Sequence, residues 1–175
     1  MLRALERGEV EAMAAWELDP ATWQLADDEP YVPKTTADVL KAYDEGKHYR
    51  ADPKYAPFAV DVDGAVVGGI ALWGIDLHSR RAHLGISLAP DARGQGYGTD
   101  AVRVLLRYAF SVRGLHRVQL EALADNAIAL ACYRRAGFVE EGRMREDAWL
   151  DGRWVDNVVM GVLAQDWAAA RPPGR

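Results

Sequence analysis

The sequence predicts an α+β fold: a single mixed, mostly antiparallel sheet with helices packed against it, not a repeatedly wound parallel sheet. Three observations carry this. Two β-rich runs flank Asp63-Gly64, and two more flank Asp151-Gly152. Asp-Gly between such runs is a strong signal for a two-residue hairpin turn, because both central residues take positive φ there. Between the hairpins, a strand-like run passes through a glycine-rich loop into an amphipathic helix, then a second strand and a second helix. Hairpins on either side of one strand–helix–strand–helix segment build a mixed sheet.

Taken in order, Glu9 to Leu18 reads as a helix stopped near Asp19-Pro20. Acidic and turn-prone residues follow: Asp27, Asp28, Glu29, Pro30 and Pro33. Thr36 is the expected N-cap of a second helix that runs to about Glu45 and ends at Gly46. Phe58 to Val62 and Ala65 to Trp73 form the first hairpin. In the next strand, to Ala89, the residues Ala82, Leu84, Ile86 and Leu88 point one way, and His83, Gly85, Ser87 and Ala89 the other. A helix is expected from about Gly98 to Val112, with Val102, Leu105, Leu106, Ala109 and Phe110 as its buried stripe. Val118, Leu120 and Ala122 make a strand face. Asn126 caps a helix that Gly137 ends, and Phe138 to Ala148 with Trp154 to Leu163 close the fold as a hairpin.

The chain has 175 residues, of which 50% are apolar, enough for one domain with its own core. Residues 1–167 are read as that domain and 168–175 as a flexible tail. No apolar run of about 18 residues occurs, and Met1 to Glu6 lacks the apolar segment of a secretory signal. Cys132 is the only cysteine, so no internal disulfide forms, which fits a reducing, cytoplasmic setting. The formal charge of −5 disfavours a general nucleic-acid binder. Arg103, Arg107, Arg113 and Arg117 are spread over a helix and a strand without an aromatic ladder.

The most informative stretch is Arg93-Gly94-Gln95-Gly96-Tyr97-Gly98. It follows a strand and opens a helix, so unpaired N–H groups and the positive helix end face one point, an anion cradle. The glycines run G-x-G-x-G, which fails the dinucleotide fingerprint, and no Lys-Ser or Lys-Thr follows, which fails the P-loop. Arg93-x-x-Gly96-x-Gly98 instead resembles the pyrophosphate loop of the Gcn5-related N-acetyltransferases. Asn126 to Phe138, with Asn, Tyr, Gly and Phe at matching spacing, resembles that family's second signature. Glu141-Gly142-Arg143, Asp151-Gly152 and Asp156 resemble the closing segment of its RimJ/RimL-like branch, as Trp16 to Pro20 resembles the opening. Asp28 to Tyr31 and His78 to His83 are similar to segments of spermidine acetyltransferases. The resemblance spans nearly the whole chain. It implies a sheet of about six to seven strands with about four helices, splayed to admit acetyl-CoA, and no metal.

Moving an acetyl group from a thioester to an amine has four requirements. Main-chain N–H groups of Arg93, Gly94, Gln95, Gly96, Tyr97 and Gly98 can grip the pyrophosphate. The resemblance places the donor for the carbonyl oxygen on the preceding strand, at Ile86, Ser87 or Leu88, with Leu88 favoured. It places the acid for the departing thiolate at Tyr133, and a phenol, with a pKa of about 10, is protonated at neutral pH. An amine arrives as an ammonium and needs a base. Many relatives have glutamate where this chain has His83. Histidine can accept a proton near neutral pH, and Glu121 is the second candidate. The resemblance also assigns Asn126 to the pantetheine arm. Cys132 has no histidine near it in sequence and is read as a small helix residue, not a nucleophile.

The acceptor stays open at this stage among a protein N-terminus, a polyamine and another small amine. Asp27, Asp28, Glu29, Asp44 and Glu45 suit any of them or form a solvated acidic surface. The competing reading is a catalytically inactive acyl-CoA-binding sensor. The resemblance also implies a homodimer.

Overall fold

The fold was obtained as a computed structural model, which describes residues 1–20, 22–23, 31–46 and 53–170. Asp27 to Pro30 and Arg171 to Arg175, singled out above, lie outside the described residues. A seven-stranded sheet forms the centre. Its strands are β1 (Leu2–Arg3), β2 (Ala56–Val62), β3 (Ala65–Asp76), β4 (Arg81–Leu88), β5 (Arg117–Leu123), β6 (Val139–Leu150) and β7 (Arg153–Leu163). Their spatial order is β1-β2-β3-β4-β5-β7-β6. Only β4 and β5 are parallel, and all other neighbours are antiparallel. The expected mixed, mostly antiparallel α+β sheet is what forms.

Both hairpin turns adopt the geometry that Asp-Gly favours. Asp63 and Gly64 have φ of 52° and 87°, and Asp151 and Gly152 have 48° and 80°. β3 runs past the expected end at Trp73. Gly74, with φ of 58°, takes up an irregularity in register between Trp73 and Asp76, and Ile75 returns to the core. β1 was not expected, because two residues carry no periodicity. It joins the sheet edge beside β2, with Leu2 opposite Val60.

Five α-helices lie wholly among the described residues: α1 (Val10–Glu17), α2 (Thr36–Asp44), α3 (Tyr97–Arg107), α4 (Ala127–Ala136) and α5 (Ala164–Ala169). The N-cap of α2 is Thr35, one residue before the expected Thr36. Thr35 and Asp38 form a reciprocal capping box that Thr36 is out of phase to make. α5, absent from the sequence reading, is six residues long and reaches two residues into the segment read as tail. α3 continues as a π-helical turn, Tyr108–Val112.

The expected stripe of α3 and its extension is buried: Val102, Leu105, Leu106 and Ala109 are fully enclosed, and Phe110 nearly so. It packs on Leu84, Val118, Leu120, Val158 and Met160 from the centre of the sheet. A smaller cluster of Val10, Ala14 and Val39 joins α1 to α2. The core therefore clamps β4 and β5 at their paired ends and leaves their other ends to part.

Candidate active site

β4 and β5 pair only where Arg81, Ala82 and His83 lie beside Arg117, Val118 and Gln119. Beyond that, β4 continues to Leu88 and β5 to Leu123 without touching each other as strands. The gap between them opens into a cleft of ≈ 990 Å³. Its walls come from β4, β5, the glycine loop and α4. A sheet that parts in its middle exposes main-chain hydrogen-bonding groups deep in the protein, where they must find partners.

Strand alternation decides which groups of β4 face the gap. The Ala89 N–H donates to the Val67 carbonyl of β3, at 2.9 Å, and Ser87 lies opposite Gly69. The N–H groups of Ser87 and Gly85 therefore turn toward β3, while those of Ile86 and Leu88 turn into the cleft. This corrects the inclusion of the Ser87 amide among the carbonyl donors. Ser87 lines the cleft, but its N–H belongs to the hairpin ladder.

The loop then turns through two left-handed glycines, Gly94 at φ 74° and Gly96 at φ 89°. Gly96 is the N-cap of α3 and places no side chain on the first turn, so the N–H groups there stay open to a ligand. Gly98 packs tightly: a Cβ there would lie 3.4 Å from Leu88 Cδ1 and 3.5 Å from Cys132 Sγ. Arg93, Gly94, Gly96 and Gly98 line the cleft, but Gln95 and Tyr97 do not. Gln95 Nε2 donates to the Asp91 carbonyl at 2.7 Å, so its side chain closes the loop. Arg93 Nε donates to the Leu88 carbonyl at 3.0 Å, and its Nη2 to Thr22 Oγ1 at 3.3 Å. The Arg93 side chain thus straps the loop to the open end of β4, a role its place in the motif did not reveal.

Tyr133, on α4, is buried, with its ring edge-on to Phe138 at 5.9 Å. Burial pushes its phenol well above the ordinary tyrosine range, so it stays protonated. Asn126 accepts from the Ala129 N–H at 3.1 Å as the N-cap of α4 and also lines the cleft. Cys132 Sγ accepts a hydrogen bond from Thr99 Oγ1 at 3.4 Å, a packing contact between α3 and α4.

His83 and Glu121 stand on the opposite wall. The His83 ring stacks on Trp73, with centroids 5.6 Å apart and planes at 24°. Trp73 also lies over Gly85, where a Cβ would meet its ring at 2.7 Å. Sequence reasoning missed Trp73 and Asn157, which also line the cleft. Asn157 is buried and donates to Asp147 Oδ2 at 3.1 Å. An amide inside the run Val155 to Met160 was the available signal. Among the described residues no group of three or more His, Cys, Asp or Glu is placed to hold a metal ion.

The profile of the acetyltransferase (GNAT) domain matches residues 1–139. The chain belongs to the GNAT family. This acetyltransferase is 28% identical over 162 residues to a spermidine N(1)-acetyltransferase of Vibrio cholerae, covering 93% of this chain and 91% of that one. It is 35% identical over 105 residues to a putative ribosomal N-acetyltransferase of Bacillus subtilis, covering 60% of this chain and 57% of that one. The crystal structure of the Vibrio cholerae spermidine N-acetyltransferase in complex with CoA and spermine superposes with a TM-score of 0.85 and 26% identity, covering 96% of this chain and 97% of that one. The GNAT chain is an acetyl-CoA-dependent N-acetyltransferase, and the reading as an inactive sensor finds no support in these relatives.

Proposed function

We propose that the acceptor is a polyamine, and that the cleft where β4 and β5 part brings its amine to the thioester. The observation that carries this is the agreement over nearly the full length of both chains with an acetyltransferase holding CoA and spermine. The ribosomal relative matches over little more than half its length. The far wall of the cleft suits a cation: the half-exposed indole of Trp73 offers a ring face, and the exposed Glu121 offers a carboxylate.

In this reading the first turn of α3 and the loop from Arg93 to Gly98 grip the pyrophosphate. The Leu88 N–H, turned into the cleft, meets the carbonyl oxygen as it gains charge, with the Ile86 N–H two residues earlier on the same edge. The amine nitrogen bonds to the carbonyl carbon, the carbon–sulfur bond breaks, and Tyr133 gives its phenolic proton to the departing sulfur. The ammonium's extra proton leaves before attack to a cleft-wall acceptor, for which His83 and Glu121 are the two candidates from the sequence. The second proton, shed by the nitrogen once the carbon–nitrogen bond has formed, replaces the one Tyr133 gave to the sulfur.

Thiol release from acetyl-CoA, followed with a panel of polyamines, aminoglycosides and peptides with free N-termini, tests the proposal. Spermidine or spermine is expected to give the highest kcat/KM. Turnover confined to peptides would overturn it.

Self-association belongs to the same proposal. β6 is an edge strand of twelve residues, nine of them exposed, and Trp149 and Trp154 at its turn are 58% and 56% exposed. The Vibrio cholerae relative has a dodecameric structure. Light scattering is expected to show an oligomer, and a monomer at every concentration would reject it.

A further inference from the structure

A chain of polar contacts runs across the sheet behind the acceptor wall. Trp73, His83, Gln119 and Gly161 stand opposite one another on four neighbouring strands, β3, β4, β5 and β7. Residues in register share a face, and Glu121, two residues beyond Gln119, shares it too. Glu141 sits at an irregularity of β6, between the pairs Glu140–Met160 and Gly142–Val159. Such a bulge re-aims a side chain. Its carboxylate lies across Gly161, where a Cβ would come within 2.5 Å of Oε1. From there it accepts from Arg117 Nη1 at 2.7 Å and also from Nη2. The remaining edge of the guanidinium, Nε, donates to Gln119 Oε1 at 3.1 Å. Gln119 Nε2 then lies 3.3 Å from His83 Nε2.

The chemistry of each group fixes the direction of the chain. Arginine only donates, so the Gln119 oxygen must face Arg117 and the Gln119 amino group must face His83. An amino group opposite a ring nitrogen requires that nitrogen to accept. We propose that Arg117 and Gln119 are positioning residues that fix neutral His83 with its proton on Nδ1 and its Nε2 lone pair committed to Gln119. This rests on the acetyltransferase reading above and assigns one of its open roles. The only lone pair of His83 is occupied, so His83 presents a donor to the acceptor end of the cleft. The proton of the incoming ammonium then goes to Glu121. The other carboxylate on the cleft wall, Asp125, is paired with Arg153, whereas Glu121 has no such partner among the described residues.

The test is long-range ¹⁵N NMR on the whole protein labelled in its four histidines, with His83→Ala identifying the His83 signals. The expected result is a proton on Nδ1 in the unsubstituted protein. Gln119→Glu keeps the side-chain shape and the Arg117 partner but replaces the donor with an acceptor, so the His83 proton must move to Nε2. Arg117→Met frees the amide to turn, giving a mixture of the two forms. A proton on Nε2 in the unsubstituted protein, or no change in Gln119→Glu, overturns the proposal. In acetyl transfer, Glu121→Gln is expected to lower kcat by about 10²-fold or more, and His83→Ala to act mainly on KM. The reverse pattern returns the base to His83 and also overturns the proposal. The tautomer is read without any amine present, so it stands or fails separately from the choice of a polyamine as acceptor.

Discussion

In the proposed mechanism the chemistry of the leaving group turns on Tyr133, which is buried and lines the cleft. Its burial raises the phenol's pKa, so the proton is retained at pH values where an exposed tyrosine would lose it. Turnover is therefore expected to show no descending limb from phenol ionisation near pH 10, which a pH–rate profile at saturating substrates checks. Tyr133→Phe should lower kcat by roughly 10²-fold, the low end for general acid catalysis because a thiolate already leaves well, while CoA affinity measured by calorimetry stays within about twofold. Unchanged turnover would remove the acid role. The position of Tyr133 was legible in the sequence, through the spacing from Asn126 to Phe138. Its burial was not, because the helical period of α4 leaves undecided whether the ring packs inward or stands in water. For the same reason the motif disclosed the backbone of Arg93 but not its side chain, whose partners, the Leu88 carbonyl and Thr22, come from elements distant in sequence or across a turn.

At the scale of elements, periodicity told most of the truth where one face met the core. The stripe from Val102 to Phe110 was readable because apolar residues recur with the helical period and α3 packs them on the sheet. Leu105→Ala should cost about 2–5 kcal/mol in denaturant unfolding, as a fully enclosed leucine leaves a cavity. Where an element depends on non-local partners the sequence was silent. Two-residue β1 is a strand only because β2 is beside it, and the pairing across β5, β7 and β6 that brings Glu141 to Arg117 has no local signature. That ion pair has a pH signature of its own. The hydrogen bond from Arg117 holds the Glu141 carboxyl below the usual glutamate range. A carboxyl depressed by folding contributes stability above its unfolded value, and the contribution is lost as pH falls through the folded value. Glu141→Gln should therefore cost about 1 kcal/mol or less at neutral pH, since the pair is partly exposed, with the difference shrinking on acidification. A difference that grew at acid pH would contradict the assignment.

At the scale of the whole molecule, the order of elements explains why the cleft opens where it does. One parallel pair stands in an otherwise antiparallel sheet, and it is joined by the glycine loop and α3. α3 packs on the paired ends of β4 and β5, while α4 and the loop stand at the parted ends, so a ligand that fills the gap ties both halves of the sheet together. Anything that binds the folded state alone raises its stability by mass action. CoA at about a hundredfold over its Kd should add about 2.7 kcal/mol, which for a domain of this size is a rise in Tm of about 5–10 °C. Gly96→Ala should erase most of that rise. Its φ of 89° is strained for any residue with a Cβ, at about 1–2 kcal/mol, and relief of that strain turns the first N–H groups of α3 away from the ligand. Because no atom lies within 4 Å of a Cβ at Gly96, the variant should still fold, with the strain as its main penalty without CoA. Differential scanning with and without CoA separates the two effects. If Gly96→Ala kept the full rise, the glycine loop could not be the part of the molecule that holds the cofactor's pyrophosphate.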